Sequence, residues 1–151
     1  MRLSNNDFLK IIDSTPLVSI DLIMENKDGE ILLGQRLNKP AQGFWFVPGG
    51  RIVKNETIKD AYKRILFNET GLNIPFKEAE LLGVYDHIYD DNFLGADNIN
   101  THYVVLGFKL SLESNVTIVI DDQHSHTMWW KIEELKASEH VHINTKRYFS
   151  E

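Results

Sequence analysis

Hydrophobic residues recur along this 151-residue chain with two different periods. Apolar runs rich in Val, Ile and aromatic residues predict strands at residues 17–24, 30–36, 80–89, 101–110, 116–120 and 127–132. The turn sequence NKDG between the first two runs predicts a hairpin. Helical periods predict a short helix capped by Ser4, a longer helix at about residues 57–69 and a helix start near residue 133. Since no linker interrupts the pattern, we expect one domain spanning 1–151, with an α+β fold in which a mixed β-sheet packs between helices.

The helix predicted at residues 57–69 carries a carboxylate in an unusual place. Its apolar positions recur every three or four residues and form one stripe, made of Ile58, Ala61, Tyr62, Ile65 and Leu66. At about 100° per residue, Glu69 falls roughly 20° from Ile58, near the centre of that stripe. A buried carboxylate needs a cation or hydrogen-bond donors. Glu69 is therefore either a metal ligand or a helix-end residue that reaches solvent.

The segment before this helix, GFWFVPGG, is aromatic and extended and breaks at its glycines. We expect Gly49 and Gly50 to open a loop whose backbone carbonyls turn inward towards a cation. Glu56 and Arg64 lie on the polar side of the helix. They either hold the loop against the helix as an ion pair or remain two solvated surface charges.

Composition and charge exclude several classes of protein. The net charge is −6 with both signs scattered, so we expect no nucleic-acid polymer as a partner, while a local basic pocket for a small anion stays compatible with it. The absence of cysteine excludes disulfide and thiolate chemistry and fits a reducing compartment. No apolar run approaches the ~18 residues of a membrane span, and the polar N-terminus is not typical of a signal peptide. We therefore expect a cytoplasmic protein that acts on a small molecule and not at a membrane.

Residues 50–72 carry a known motif in modified form. The pattern Gly50-x5-Glu56-x7-Arg64-Ile65-Leu66-x-Asn68-Glu69-x-Gly71-Leu72 resembles the Nudix box, Gly-x5-Glu-x7-Arg-Glu-U-x-Glu-Glu-x-Gly-U, where U is aliphatic. The resemblance implies the Nudix α/β/α sandwich, with Gly50, Glu56, Arg64 and Gly71 as structural residues of the box. Ile65 and Asn68 stand where the box has glutamates, which in ordinary members help to bind several Mg2+ ions and to promote water attack at phosphorus.

Segments outside the box extend the resemblance to one branch of that family. STPLVSIDLI, PAQGFWFVPGGR, HIYDDNF, THYVVLGF and DDQH are together similar to the GDP-mannose mannosyl hydrolases. The resemblance implies hydrolysis of GDP-mannose, and of GDP-glucose, to GDP and free hexose. Water attacks the anomeric carbon with inversion, so a C–O bond breaks. The resemblance also implies a homodimer.

The branch implies one Mg2+ ion per active site, with Mn2+ as a possible substitute. Its ligands would be the Gly49 carbonyl, the Glu69 carboxylate and the Gln123 side-chain oxygen. Mg2+ accepts few protein ligands when diphosphate oxygens and waters complete its octahedron. By neutralising GDP, the ion makes it a better leaving group.

Three residues are predicted to act on the leaving group and one on water. Arg36 and Arg51 are fork-shaped partners for the diphosphate, or else solvated surface arginines. The Tyr103 hydroxyl donates to the leaving phosphate, or Tyr103 is a core aromatic. His124, beside Gln123, is the candidate general base, because an imidazole takes a proton near neutral pH, although a loop histidine is often exposed and inert.

A zinc site built on Asp122, His124 and His126 is the competing interpretation of the same loop. Its ligand spacing is not typical of a closed structural zinc site.

Further polar and aromatic residues are candidates for binding the rest of the substrate. Asp21 and His87 are polar positions within otherwise apolar strands, so they either bind hexose hydroxyls or satisfy backbone groups at a strand edge. Leu3 and Phe8 are candidates for packing on guanine, although Phe8 equally fits the core of its helix.

Two other functions remain as alternatives. A Nudix diphosphatase would cleave P–O in a nucleotide sugar or nucleoside triphosphate, but Ile65 and Asn68 argue against it. A nucleotide-sugar sensor would bind without turnover, but such a module needs no general base, and His124 is present.

Overall fold

The computed structural model describes residues 2–113 and 124–150. The described strands are β1 (Leu17–Glu25), β2 (Glu30–Arg36), β3 (Trp45–Phe46), β4 (Gly49–Arg51), β5 (Glu80–Tyr89), β6 (Thr101–Ser111) and β7 (His124–Lys131). The described helices are α1 (Asn5–Ser14), α2 (Ile58–Thr70), α3 (Ile132–Ala137) and α4 (Ile143–Lys146), and two 3-10 turns lie at Phe76–Glu78 and Arg147–Phe149. Among the helices so described, none has the length and apolar character needed to cross a membrane.

The strands form one mixed sheet with the order β3-β2-β1-β6-β5, and β4 and β7 pair with β1 and β2 respectively. The β1–β6 pair is parallel and the other pairs are antiparallel. The predicted hairpin is confirmed, since β1 and β2 pair at Glu25 and Ile31. Away from this turn the two strands separate, and β4 pairs with β1 instead. This separation opens the sheet at the place where the candidate site lies.

Two apolar cores lie on opposite faces of the sheet. One core packs α2 against β1 and β6, through buried residues that include Ile20, Leu66 and Phe108. The other contains Leu135 of α3 and Val141, packed on Ile23 and on β2. Side chains that alternate along β1 supply both cores. The expected α+β fold, with a mixed sheet between helices, is confirmed.

Helix α2 begins and ends as its sequence predicts. The Thr57 hydroxyl accepts a hydrogen bond from the Asp60 N–H at 3.1 Å, and Gly71 closes the helix with a φ of 77°. One position of the predicted apolar stripe is wrong, because Ile58 is 46% exposed. Ile58 is the first residue of α2, and burial against the sheet begins one turn later, at Ala61.

The loop expected at Gly49 and Gly50 is also wrong. Both residues belong to β4, where Gly49 pairs with Asp21 and Gly50 with Ile20. β2 pairs with β1 only near their turn. The rest of that edge of β1 therefore pairs with the backbone of Gly49 and Gly50 and holds it in a strand. The strand expected at residues 116–120 lies outside the described residues, whereas those expected at 80–89, 101–110 and 127–132 correspond to β5, β6 and β7.

Candidate active site

A cleft of about 140 Å³ opens where β1, β4, β5 and β6 adjoin. Pairing places Tyr103 beside Leu17 of β1 and opposite His87 of β5, so alternate residues of three strands share one face. The residues lining the cleft are Ser19, Asp21, Arg36, Asn38, Pro40, Phe46, Val47, Gly49, Gly50, Arg51, Glu69, His87, Tyr89, Tyr103 and Val105. The structure therefore brings together most of the residues that the sequence proposed for one site.

Glu69 reaches the cleft from the last turn of α2. It is half-buried, and its Oε1 accepts a hydrogen bond from the Gly49 N–H at 3.4 Å. One turn earlier Ile65 is 2% exposed and packs on Gly50, where an added Cβ would lie 3.1 Å from the isoleucine Cγ1. The apolar Ile65 side chain thus fills the helix position that faces β4. The Glu69 carboxylate follows one turn later, where α2 borders the cleft.

The Gly49 carbonyl is exposed by strand geometry. Leu22 N–H donates to the Pro48 carbonyl and Ile52 N–H donates to the Val18 carbonyl, each at 2.8 Å. Hydrogen-bonded pairs alternate along an antiparallel ladder, so the pair between them at Asp21 and Gly49 is not hydrogen-bonded. The N–H and C=O of Gly49 therefore point away from β1, on the side where Glu69 lies. A carboxylate beside a strand-edge carbonyl is an oxygen donor set that fits a hard divalent cation.

Glu56 and Arg64 form an ion pair, and the interpretation as two solvated charges is wrong. Arg64 Nε donates to Glu56 Oε2 at 2.7 Å and its Nη2 donates to Oε1 at 2.9 Å. The same Nη2 donates to the Arg51 carbonyl at 2.8 Å. The hydrogen bond from Arg64 holds the pKa of Glu56 below its ordinary value. The pair fixes the end of β4 against α2 and so keeps Gly49 beside Glu69.

Two arginines give one side of the cleft a positive character. Arg36 is held by its Nε, which donates to the Pro40 carbonyl at 2.9 Å, and Arg51 lies over the Phe8 ring at 4.6 Å. Burial raises the pKa of Tyr103, against the opposing effect of both guanidinium groups, so the phenol stays protonated. Two cations and a hydroxyl donor can together bind a diphosphate.

The cleft also holds a buried acid. Asp21 is 16% exposed, and the Tyr148 hydroxyl donates to its Oδ2 at 2.7 Å. The His87 Nδ1 lies 4.0 Å from the same oxygen. Burial raises the pKa of Asp21 to about 7, although the Tyr148 hydrogen bond and Arg36 act in the opposite sense.

His87 is a neutral group at physiological pH. Burial, followed by the nearby His142 and Arg147, lowers the pKa of His87 to about 4. Burial also lowers the pKa of His142, whose ring stacks on Phe46 with centroids 4.8 Å apart. This part of the cleft therefore combines neutral imidazoles with one titratable carboxyl, and Arg147 lies close enough to lower the pKa of both histidines.

The residues proposed for guanine lie outside the cleft. Phe8 lines an adjoining recess and contacts Phe93 with ring centroids 5.1 Å apart. The recess shares Arg36 and Tyr103 with the cleft. Leu3 is 36% exposed and lines neither the cleft nor the recess.

The structure describes only part of the loop predicted to carry the candidate general base. Gln123 lies outside the described residues, as does the side chain of His124. The backbone of His124 begins β7 and pairs with Arg36. This register places residue 124 next to a residue that lines the cleft.

Sequence reasoning missed the contribution of the C-terminal segment. Tyr148 contacts Asp21 from 127 positions away, and Tyr89, which also lines the cleft, lies beside the buried Asn144. The segment HINTKRYFS shows neither periodicity nor a motif. The part that this segment plays in the site follows only from the folded structure, in which Tyr148 contacts β1 and β6.

Known proteins resemble this chain in both sequence and structure. The family model described as NUDIX domain matches residues 15–150. The low-salt glycan biosynthesis protein Agl8 of Haloferax volcanii is 38% identical over 125 residues, which span 82% of this chain and 76% of that protein. An ADP-ribose pyrophosphatase of Methanocaldococcus jannaschii is 47% identical over 70 residues, 46% of this chain and 40% of that protein.

A solved structure agrees with these sequence matches. The MutT NUDIX hydrolase from Burkholderia pseudomallei superposes with a TM-score of 0.71 at 26% identity, over 89% of this chain and 96% of the other. The family match covers nearly the whole chain, and Gly50 and Glu69 of the box line the cleft. The chain therefore belongs to the Nudix family of hydrolases.

Proposed function

We propose that this Nudix hydrolase cleaves GDP-mannose, and GDP-glucose, to GDP and free hexose by water attack at the anomeric carbon. The observation that carries the proposal is the burial of Ile65 against Gly50. Where the box has a further acid, the helix has an apolar residue, and Glu56 is already paired with Arg64. Among the described residues, α2 thus presents Glu69 as its carboxylate in the cleft.

A site of low negative charge favours substitution at carbon. Nudix hydrolases generally use divalent metal ions, and Glu69 with the Gly49 carbonyl would hold one Mg2+ here, joined by Gln123. When bound, Mg2+ neutralises the diphosphate and improves GDP as a leaving group. Attack at phosphorus in ordinary members relies on additional acidic residues of the box, and those positions are Ile65 and Asn68 in this chain.

The cleft offers groups for both parts of a nucleotide sugar. Arg36 and Arg51 bind the diphosphate, and the protonated Tyr103 donates to the oxygen on which negative charge develops. Asp21 and His87, which line the same cleft, bind hexose hydroxyls. His124 removes a proton from the attacking water. Phe8 and Leu3 are proposed for the guanine, with Phe8 the better placed beside Arg51.

The relatives support a nucleotide-sugar or related substrate. Agl8 is named for glycan biosynthesis, which fits an enzyme of activated sugars. The ADP-ribose pyrophosphatase match favours the second candidate, a diphosphatase that cleaves P–O. A sensor that binds the nucleotide sugar without turnover is the third.

One experiment separates the three functions. The protein is incubated with GDP-mannose and Mg2+ in 18O-water, and the products are analysed by mass spectrometry. We expect labelled mannose and unlabelled GDP. GMP with label in a phosphate would overturn the mechanism in favour of the diphosphatase, and intact substrate would favour the sensor.

We also propose that the protein is a cytoplasmic homodimer. In support, β5 is the last strand at one side of the described sheet, and its Val84 and Ile88 are 58% and 59% exposed. Exposed apolar side chains on an edge strand are commonly covered by a partner. Light scattering coupled to size exclusion should give twice the chain mass, and a monomer at micromolar concentration would contradict this.

A further inference from the structure

The C-terminal 3-10 turn and the first strand meet in one hydrogen bond beside the cleft. The Tyr148 hydroxyl donates to Asp21 Oδ2 at 2.7 Å. Tyr148 does not line the cleft itself, whereas Asp21 does. The Tyr148 ring also contacts the His87 ring, with centroids 6.0 Å apart, but its hydroxyl acts on the cleft through the Asp21 carboxylate.

The Tyr148 ring is packed among Tyr85, His87 and Gly107, which limits the directions in which its hydroxyl can point. The Tyr85 ring meets it edge-on, with centroids 4.8 Å apart and an interplanar angle of 85°. Both rings lie against Gly107, where an added Cβ would stand 3.0 Å from Tyr148 Cε1 and 3.1 Å from Tyr85 Cε2. The glycine in β6 thus leaves room for the ring, and packing fixes the direction in which the O–H points.

The two oxygens of Asp21 face different neighbours. Oδ2 accepts from Tyr148, while Oδ1 lies against Gly49, where an added Cβ would overlap it. A partial rotation of the carboxylate plane would break the 2.7 Å hydrogen bond, whereas a half turn only exchanges its two equivalent oxygens. One oxygen is therefore anchored, and the other is presented beside the cation site and the cleft.

We infer that Tyr148 is a positioning residue that orients Asp21 so that Oδ1 accepts a hydrogen bond from one hexose hydroxyl. This inference rests on the proposed function. GDP-mannose and GDP-glucose differ in the configuration at a single hydroxyl-bearing carbon, so a carboxylate fixed in one orientation discriminates between them. A carboxylate that is free to turn follows either hydroxyl and loses that discrimination.

A double-mutant cycle tests the inference. Tyr148→Phe removes the hydroxyl and keeps the ring, and Asp21→Asn removes the charge. We expect Tyr148→Phe to lower kcat/KM for GDP-mannose about tenfold and to change the GDP-mannose to GDP-glucose ratio of kcat/KM at least threefold. Since Tyr148 acts through Asp21, the double variant should be within twofold of Asp21→Asn alone. Losses that multiply would overturn the inference.

The matched control is Tyr85→Phe. Its ring packs on Tyr148, but the structure shows no hydrogen bond from Tyr85 to Asp21. We expect this variant to keep both kcat/KM and the sugar ratio within twofold of wild type. Thermal unfolding of each variant reports on folding. If Asp21→Asn does not fold, the sugar ratio of Tyr148→Phe decides: an unchanged ratio contradicts the inference.

Failure of the inference differs from failure of the proposed function. A wild-type protein that hydrolyses no GDP-hexose refutes the proposed function, and the inference with it. A wild-type protein that hydrolyses GDP-mannose, with multiplying losses in the cycle, refutes the role of Tyr148 alone.

Discussion

Gly49 lies so close to Asp21 across the β1–β4 pair that a Cβ on the glycine would overlap the Asp21 Oδ1. The same Cβ would stand 2.6 Å from the Ile20 carbonyl oxygen. The close approach follows from the strand geometry, because Cα atoms are closest in non-hydrogen-bonded antiparallel pairs. The glycine therefore serves both the fold and the placement of the Asp21 carboxylate in the cleft.

Replacing Gly49 by alanine should damage both stability and activity. The methyl group meets backbone on one side and a buried carboxylate on the other, so β4 must shift away from β1. We expect a loss of about 1–3 kcal/mol in the free energy of unfolding, measured by urea denaturation. We also expect kcat/KM for GDP-mannose to fall, because Glu69 loses its place beside residue 49.

Gly50→Ala is the matched control for this substitution. Its Cβ would meet the Ile65 Cγ1 methylene at 3.1 Å rather than backbone, and a side chain can shift by a few tenths of an ångström more easily than a paired strand. We expect a smaller loss of stability than for Gly49→Ala. Equal losses from the two variants would contradict the argument from the Asp21 contact.

Glu56 and Asp21 should contribute to the pH dependence of the free energy of unfolding with opposite signs. Glu56 has a pKa below its ordinary value of 4.5, so its pair with Arg64 contributes above that pH and is lost as the pH falls through the lower, folded-state value. Arg64 is 39% exposed, which limits the contribution by solvent screening. Glu56→Gln should therefore be less stable than wild type at pH 7, and the gap should narrow on acidification, as followed by urea denaturation.

Asp21→Asn should make the protein more stable at pH 8 in metal-free buffer. Burial raises the pKa of Asp21 from 3.8 to about 7, so between those values the folded state binds more protons than the unfolded state. The free energy of unfolding then falls as the pH rises through this window. His87, with a pKa lowered to about 4, acts in the opposite direction, so the variant must be compared with wild type.

We expect a gain of roughly 1–4 kcal/mol for Asp21→Asn at pH 8 and a flatter profile between pH 4 and 7. Activity should fall in the same variant. This combination is typical of a functional acid held in an unfavourable environment. Profiles that run parallel to wild type from pH 4 to 8 would show that Asp21 is not the buried acid that titrates.

Local sequence patterns predicted most of the fold, because local interactions determine those features. Alternating apolar residues gave the correct bounds for β2 and β5, and Thr57 and Gly71 marked the ends of α2. Gly49 and Gly50 were expected in a loop because glycine is permissive, yet pairing with β1 holds them in a strand. The partner of that pairing is distant in sequence, so the glycines alone do not indicate it.

Long-range contacts limited the prediction of the site in the same way. The box residues were recognised because helix spacing and motif spacing coincide along one segment. Tyr148 was missed because its contact with Asp21 depends on how β6 and the chain end pack together. Ile58 was placed in the core because periodicity gives the face of a helix and not the turn at which the sheet begins.

Glu69→Gln should weaken the metal dependence of the reaction. The amide keeps the shape and can still accept from the Gly49 N–H, but it loses the charge that binds a cation. We expect the Mg2+ concentration for half-maximal activity to rise at least tenfold, with the folded state retained. An unchanged Mg2+ dependence would refute the assignment of Glu69 as a ligand.

His124→Gln should lower kcat by roughly 10²–10⁴-fold, the usual contribution of a general base, with little change in the affinity for GDP-mannose. The backbone of His124 pairs with Arg36, so the substitution lies at the edge of the cleft. His126→Gln is the control, because His126 is exposed and its ring stacks near Trp45 at 6.4 Å. Single-turnover kinetics separate proton abstraction from product release. Equal effects of the two substitutions on kcat would remove His124 from the mechanism and leave the base to be sought elsewhere in the cleft.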